Sequence, residues 1–213
     1  LFKGVSKKTK LIFISHITSS TALRLPVEEV IARAKTYGIP VFVDGAHAPG
    51  QIPLNLTALD ADYYTGACHK WMMTPKGSSF LFVKKEKQGA IDPLVISWGY
   101  KGQFPSHSSF LDYHQFNGTR DFSAFLTIPA AIEFMKENEW EKVSASCRQL
   151  VKDNAATFFE VTGGRALAPL TDEFILQLLS AEIKTSEPEK LHNLLFENYK
   201  IQIPVMRHGD KVY

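Results

Sequence analysis

The sequence predicts an α/β fold built on a mostly parallel sheet flanked by helices. Two short runs of consecutive apolar residues, Lys10–His16 and Pro40–Val43, indicate buried strands. Between them, Pro26–Tyr37 carries apolar residues at helical spacing, with Pro at its start and Gly38 at its end. Strand, helix, strand with continuous apolar strands is typical of a parallel sheet that is covered on both faces.

The rest of the chain predicts further elements and a change of domain. Glycine, serine, histidine and aromatic residues are frequent in Ser97–Phe116, which predicts an irregular, functional loop region. We expect a partial large domain over residues 1–138 and a partial small α+β C-terminal domain over residues 139–213. The other predicted elements are strands at Ala61–Thr65, Ser79–Val83, Phe174–Leu179 and Ile201–Met206, and helices at Asp121–Lys136, Glu141–Phe159 and Glu189–Tyr199.

Composition narrows the class of protein. The 213 residues carry a formal net charge of only +2 with scattered Lys and Arg, so we expect no nucleic-acid partner. No apolar run approaches the ~20 residues of a membrane span, so we expect no membrane partner. Cys68 and Cys147 form no disulfide framework, which indicates a reduced, cytoplasmic protein. The initial Leu1, and a hairpin at Ile201–Tyr213 that ends within its second strand, predict an internal fragment.

The first candidate motif is Asp44-Gly45-Ala46-His47. Asp44 follows a buried strand, and α/β sheets bind ligands at the carboxyl ends of such strands. A carboxylate there can pair with a protonated ring nitrogen of a cofactor, and His47 can stack on the ring or bond its phenolic oxygen. Asp44 could instead cap a turn. A metal site is the other alternative, but no further His or Cys stands at ligand spacing, so we predict no metal.

The second motif is Thr65-Gly66-Ala67-Cys68-His69-Lys70-Trp71, followed by Pro75-Lys76-Gly77. A lysine that forms a Schiff base must be uncharged, which burial and neighbouring positive charge favour. We expect Lys70 to be less exposed than a typical surface lysine, and His69 could bond a phosphate. The alternative is an ordinary loop lysine beside a satisfied core histidine. Asp44, 26 residues upstream, favours the functional interpretation.

The third motif is Asn117-Gly118-Thr119-Arg120-Asp121, which precedes a predicted helix. A Gly-Thr pair at a helix start offers a hydroxyl and free backbone N–H groups, which suit an anion. Simple N-capping by Thr119 or Asp121 is the alternative interpretation.

Together, in this order and spacing, the three motifs resemble the class V aminotransferase family of fold type I pyridoxal-phosphate (PLP) enzymes, and within it the isopenicillin N epimerase-like branch. The resemblance covers about Lys10–Trp140, and Ile14–Ser19 is similar to that branch's strand-to-loop segment beside the cofactor. It implies a PLP-transferase-like fold and pyridoxal 5'-phosphate as the cofactor.

The resemblance also implies a role for each matching residue. Asp44 would pair with the pyridine nitrogen, and His47 would lie where relatives bond the phenolic oxygen. Lys70 would form the internal aldimine, and His69 would contact the phosphate. Thr119 would reach the phosphate of a neighbouring subunit, which implies a homodimer. Lys70 and Asp44 are thus the predicted catalytic residues.

Two parts of the family pattern have no match in this sequence. Relatives carry an N-terminal stretch with a phosphate-binding turn and a residue that stacks on the ring. They also carry an arginine for the substrate carboxylate, and Arg207 stands too early to match it.

The implied activity is that of an enzyme acting on an amino acid or amino-acid-like substrate through Cα deprotonation, with Lys70 as the base. Epimerase, transaminase and C–S lyase remain open. A thiol-using cysteine desulfurase is disfavoured, because Cys68 adjoins Lys70 and Cys147 lies in a predicted helix rather than on a late loop. Outside the enzyme class, the alternative is an inactive fragment or a non-catalytic homologue.

Overall fold

A four-stranded mixed sheet forms the centre of the computed structural model, which describes all residues, Leu1–Tyr213. Its strands, in spatial order, are β1 (Ile12–Ser15), β2 (Val41–Asp44), β3 (Tyr63–Ala67) and β4 (Ser79–Val83). The first three run parallel, and β4 pairs antiparallel with β3. The predicted α/β fold with a mostly parallel sheet is confirmed.

Seven α-helices, two short strand pairs and two 3-10 helices (Phe2–Gly4 and Lys85–Ala90) complete the chain. None of the helices combines the length and the apolar character needed to cross a membrane. The helices are α1 (Val27–Thr36), α2 (Leu56–Leu59), α3 (Ser109–Gln115), α4 (Ser123–Leu126), α5 (Ile128–Glu137), α6 (Trp140–Thr162) and α7 (Pro188–Tyr199). The strand pairs are β5 (Arg165–Ala166) with β6 (Ala181–Glu182), and β7 (Arg207–His208) with β8 (Lys211–Val212).

Two predicted strands in the second half are wrong. Phe174–Leu179 forms only an isolated bridge between Ile175 and Leu23, because a turn opened by Thr171 occupies its start. No strand forms over Ile201–Met206 either. The hairpin lies just beyond it, where β7 and β8 turn around Gly209 at a φ of +63°.

The region between the sheet and α6 differs from the prediction in two further places. The expected irregular loop Ser97–Phe116 contains α3, which begins where the Ser108 hydroxyl accepts a hydrogen bond from the Leu111 amide. The single helix expected over Asp121–Lys136 is divided into α4 and α5, and Pro129 stands in the first turn of α5. Proline is favoured in a first helical turn, where its missing N–H costs no hydrogen bond.

Helix α1 covers one face of the sheet and builds the core with it. The buried apolar residues of this face include Val27, Val30, Ile31 and Ala34 of the helix and Ile12, Val41, Val43 and Tyr64 of the strands. On the opposite face, Phe13, Phe42 and Tyr63 stack side by side across three strands, at centroid distances of 5.4 and 5.7 Å. Phe13 is 63% exposed. Within this chain, therefore, only one of the two faces is packed.

Buried Gln51 joins the loop after β2 to the later part of the chain. Its side-chain amide donates to the His47 carbonyl at 2.8 Å, and its side-chain oxygen accepts from the Gln177 amide at 3.2 Å. The Ser144 hydroxyl of α6 donates a hydrogen bond to the backbone carbonyl of Gln51 at 3.2 Å. Because residues after 139 pack directly on this loop, the division into 1–138 and 139–213 stays a prediction, although the break between α5 and α6 falls at Asn138–Glu139.

The core contains one buried histidine–tyrosine pair. His16 is only 2% exposed, and its Nδ1 lies 3.0 Å from the Tyr64 hydroxyl. Its Nε2 is buried without a hydrogen-bond partner and lies 4.0 Å from a Glu28 carboxylate oxygen. Burial lowers the pKa of His16 to about 4; Glu28 opposes this shift and Arg24 adds to it. His16 is therefore neutral in the folded protein at neutral pH.

This lowered pKa predicts a loss of stability in acid. Between pH 6.5 and about 4 the unfolded chain binds a proton at His16 that the folded chain does not. The His16 contribution to the free energy of unfolding should fall over this window by up to about 3 kcal/mol and level off below it. Chemical denaturation at a series of pH values measures this. His16→Gln should flatten the profile, whereas His107→Gln, at an exposed position, should leave it unchanged. An equally steep profile in His16→Gln would contradict the assignment.

Candidate active site

Asp44 ends β2 at the edge of the sheet where ligands bind in α/β folds. It pairs with Ser15 of β1 and Thr65 of β3. The ladder continues past the strand ends, since the His16 amide donates to the Asp44 carbonyl at 2.8 Å and the Gly45 amide donates to the Thr65 carbonyl at 2.9 Å. The loop after β2 and the turn after β3 therefore both leave from this edge.

These two connections bring three of the predicted residues together. Lys70 Nζ lies 3.0 Å from His47 Nε2, across 23 residues of sequence. Asp44 is also close to His47, since its negative charge contributes to the pKa of that imidazole and opposes the net lowering described below. Asp44, His47 and Lys70 thus form one cluster.

His47 has a second partner that the sequence did not predict. Trp71 Nε1 lies 3.3 Å from His47 Nδ1, so the imidazole is held at both nitrogens. Burial, and then the neighbouring Lys70 charge, lower the pKa of His47, and Asp44 only partly opposes them. We conclude that His47 is neutral at neutral pH. The one sequence signal for Trp71 is its position directly after Lys70.

The loop and the turn are locked together by a glycine. Gly50 has a φ of +83°, and a Cβ built on it would lie 2.6 Å from the backbone carbon and oxygen of Trp71. The Trp140 indole donates to the Gly50 carbonyl at 2.6 Å from the other side. A side chain at position 50 would push Trp71 away and would disrupt its contact with His47.

The expected shielding of Lys70 is not found in this chain. The Lys70 side chain is exposed, and His47 is the only side chain to which it is hydrogen-bonded. Burial therefore does not supply the uncharged amine that Schiff-base chemistry needs, and within this chain His47 is the group positioned to influence the Lys70 proton.

The Asp44 carboxylate has room for a ligand. Its Oδ1 accepts a hydrogen bond from the Ala46 amide at 3.0 Å, whereas its Oδ2 makes no hydrogen bond within the chain. The carboxylate is half-buried, at the same edge as the Lys70 amine. A carboxylate oxygen that can accept from a protonated pyridine nitrogen and an exposed amine that can bond an aldehyde are the two groups that PLP requires, so Asp44 and Lys70 fit PLP.

His69 is held by the backbone. Its Nδ1 lies 3.1 Å from the Ser78 carbonyl, which can only accept, so Nδ1 carries a hydrogen. Nε2 is therefore the atom of His69 that is left for a phosphate. Its phosphate contact stays a prediction.

Thr119 stands apart from the cluster. Its side chain is exposed and makes no hydrogen bond within the chain, while the preceding Gly118, at a φ of +85°, packs against the Trp98 indole. Asp121 accepts a hydrogen bond from the Ser123 amide at 2.8 Å, so Asp121 provides the turn before α4. Contact of Thr119 with a phosphate of a neighbouring subunit stays a prediction.

The cysteine beside Lys70 is unsuited to nucleophilic chemistry. Cys68 is 3% exposed, and burial raises the pKa of its thiol. A buried thiol with a raised pKa is a poor nucleophile, since the thiolate is the reactive form. Cys147 lies within α6 and not on a loop.

Comparison with known proteins shows the family of this chain. The family model for class V aminotransferases matches residues 1–212. The chain belongs to the class V aminotransferase family. Pyridoxal phosphate is the cofactor of this family, and the cofactor prediction is confirmed at that level.

Individual relatives cover nearly the whole chain. Isopenicillin N epimerase of Amycolatopsis lactamdurans is 33% identical over 97% of the chain and 54% of the relative. A probable chloroplastic L-cysteine desulfhydrase of Arabidopsis thaliana is 28% identical over 95% of the chain and 44% of the relative. A solved structure of a C-DES mutant with glycine covalently linked to its PLP cofactor aligns with a TM-score of 0.80 at 20% identity, over 99% of this chain and 56% of that one. The chain thus spans about half the length of these relatives.

Proposed function

We propose that the protein is a PLP-dependent enzyme acting on an amino acid or amino-acid-like substrate, with Lys70 and Asp44 as its catalytic residues. One observation carries the proposal: the Lys70 amine lies 3.0 Å from the His47 imidazole at the strand edge that also holds Asp44. This arrangement joins the three groups that the family resemblance assigns to the cofactor.

Each residue of the cluster has a definite task in this proposal. When bound, PLP supplies an electron-withdrawing ring that acidifies the Cα–H bond of an attached amino acid. Asp44, which has an oxygen without a hydrogen bond in the chain, would hold the proton of the ring nitrogen. Lys70 would hold the cofactor and would move the Cα proton, and His47 lies within hydrogen-bond distance of Lys70. His69 and Thr119 are the proposed phosphate contacts.

Within the family we favour an epimerase-like reaction. Isopenicillin N epimerase matches 97% of the chain at 33% identity, whereas a putative L-cysteine desulfhydrase of Oryza sativa reaches 34% identity over only 64% of the chain. A C–S lyase reaction is the second candidate, and the chloroplastic desulfhydrase relative supports it. A thiol-using desulfurase is disfavoured because Cys68 is buried and its thiol pKa is raised. The cytoplasmic location stays a prediction, because that relative is chloroplastic.

The first prediction of this proposal concerns Lys70. Lys70→Ala in the full-length protein should abolish the borohydride-reducible covalent attachment of PLP, because the amine that binds the aldehyde is removed. Mass spectrometry of the reduced, digested protein measures this attachment. Lys76→Ala is the matched control, six residues away and exposed, and should retain full labelling. If PLP stays covalently attached in Lys70→Ala, Lys70 is not the cofactor lysine.

A second prediction concerns Asp44. Asp44→Asn should keep some bound PLP but slow the exchange of the substrate Cα hydrogen with deuterated water by roughly 100-fold or more, because a neutral amide cannot hold the pyridine proton. Cα exchange is the readout because epimerase and lyase both begin with Cα deprotonation. Asp172→Asn, which breaks only a surface pair with Lys152, should exchange at the wild-type rate. Wild-type exchange in Asp44→Asn would contradict the role of Asp44.

A third prediction concerns assembly. We propose that the full-length protein is a homodimer in which Thr119 reaches the partner's cofactor phosphate, since Thr119 is exposed and has no bond within its own chain. Sedimentation should show a dimer. Thr119→Ala should weaken PLP affinity without dissociating the dimer. A monomer that binds PLP tightly would contradict this arrangement and would leave Gly118–Thr119 as a simple connection before α4.

A further inference from the structure

A cavity of about 530 Å³ lies between α1, the segment that leads into α2, and α6. No residue of the cofactor cluster lines it, and the buried side chain of His16 forms part of its wall. The charged side chains that line the cavity are Arg24 and Glu28 near the start of α1, Arg148 of α6, and Asp172.

Three of these four charged groups are already paired. Arg24 lies 2.9 Å from Glu28, and Asp172 lies 2.8 Å from Lys152. Arg148 forms no ion pair, although its charge reaches the cavity: Lys152 is the main cause of the lowered pKa of Asp172, and Arg148 contributes to it. The cavity therefore contains one positive charge that no carboxylate of the chain neutralises.

The guanidinium of Arg148 has an unused edge. Its Nη1 donates to the Gln51 carbonyl at 3.3 Å and to the Ser144 hydroxyl at 3.1 Å, whereas Nε and Nη2 make no hydrogen bond within the chain. The side chain is half-buried, and its two bonds through Nη1 fix its position. Two parallel N–H groups on a guanidinium edge match the two oxygens of a carboxylate.

His16 supplies a second, independent sign of a missing partner. Its side chain is only 2% exposed, and its Nε2 has no hydrogen-bond partner, while Nδ1 lies 3.0 Å from the Tyr64 hydroxyl. The nearest carboxylate oxygen, that of Glu28, is 4.0 Å from Nε2, which is too far for a hydrogen bond. Buried polar atoms without a partner are rare in folded proteins. The Glu28 side chain is half exposed, so it can turn outward and let a ligand oxygen approach Nε2.

We propose that this cavity binds a small carboxylate with an apolar body, whose carboxylate group lies on the Nε–Nη2 edge of Arg148. The apolar body would pack on the other part of the wall, which includes Leu54, Leu59 and Leu176. The volume lies in the range of small-molecule sites. The proposal does not depend on the proposed function, since the cavity is separate from Asp44, His47 and Lys70.

The test is isothermal titration calorimetry of the full-length, PLP-loaded protein with hexanoate. We expect saturable binding of one hexanoate per chain, and binding of 1-hexanol and hexylamine at least roughly tenfold weaker, because neither can accept two hydrogen bonds from a guanidinium. Arg148→Gln should weaken hexanoate binding at least roughly tenfold. Absence of hexanoate binding would overturn the proposal, and so would equal affinity for hexanoate and 1-hexanol.

A second variant should strengthen binding, which a folding defect cannot imitate. Glu28→Gln removes a negative charge beside His16 and leaves Arg24 without its carboxylate partner, so hexanoate should bind about threefold or more tightly. Glu29→Gln is the matched control, because Glu29 is the next residue of α1 and does not line the cavity. It should leave the affinity for hexanoate unchanged.

Two further outcomes would place hexanoate elsewhere and overturn the proposal. Arg148 also lines a neighbouring cavity beside Trp140 that does not include Glu28, so binding there would leave the affinity unchanged in Glu28→Gln. Binding at the cofactor cluster would be lost in Lys70→Ala, whereas we expect this variant to bind hexanoate as the wild type does. Failure of Lys70 to hold PLP would contradict the proposed function and leave hexanoate binding intact.

Discussion

The site depends on the close approach of two chain segments that leave adjacent parallel strands. Parallel pairing of β2 with β3 sets Asp44 beside Thr65, so the loop after one strand and the turn after the other begin at the same edge. Gly50 then allows the backbone of that loop to lie against Trp71, at a φ that few other residues adopt. This approach brings His47 between Lys70 and Trp71, so both contacts of its imidazole nitrogens depend on it.

A second glycine decides the position of the Asp44 carboxylate. A Cβ on Gly45 would overlap the ring of Tyr64, so only glycine lets the backbone after Asp44 pass over the buried tyrosine. Tyr64 in turn bonds His16 below the sheet edge, which leaves Asp44 on the opposite side of β2 from this buried pair. The Asp-Gly pair is therefore needed for packing as well as for chemistry, because the same backbone that packs on the core presents the carboxylate.

Much of the sheet and part of the site could be predicted from the sequence, for physical reasons that differ between residues. The apolar runs of β1 and β2 and the helical spacing of α1 reflect burial, which a local pattern reports directly. Asp44, His47 and Lys70 were predicted because their order and spacing resemble a family pattern, and the structure brings them together. The strand predicted at Phe174–Leu179 failed because its apolar residues are buried by tertiary packing while its backbone turns. The exposure of Lys70 and the bond from Trp71 depend on how two distant loops meet, which no local pattern contains.

The chemistry open to this cluster follows from which groups can change protonation near neutral pH. Cys68 stands two residues before Lys70 in the sequence, but it is buried and its thiol pKa is raised. Cys68 therefore keeps its proton and contributes packing. Asp44 keeps one carboxylate oxygen that makes no hydrogen bond within the chain. The Lys70 amine and the His47 imidazole, 3.0 Å apart, are the two groups of the cluster between which a proton can pass directly. Under the proposed function, the amine would bind an aldehyde and would also remove a proton beside a carboxylate. The pair would then serve epimerisation and C–S lysis alike, and the choice between them would lie in the groups that contact the rest of the substrate.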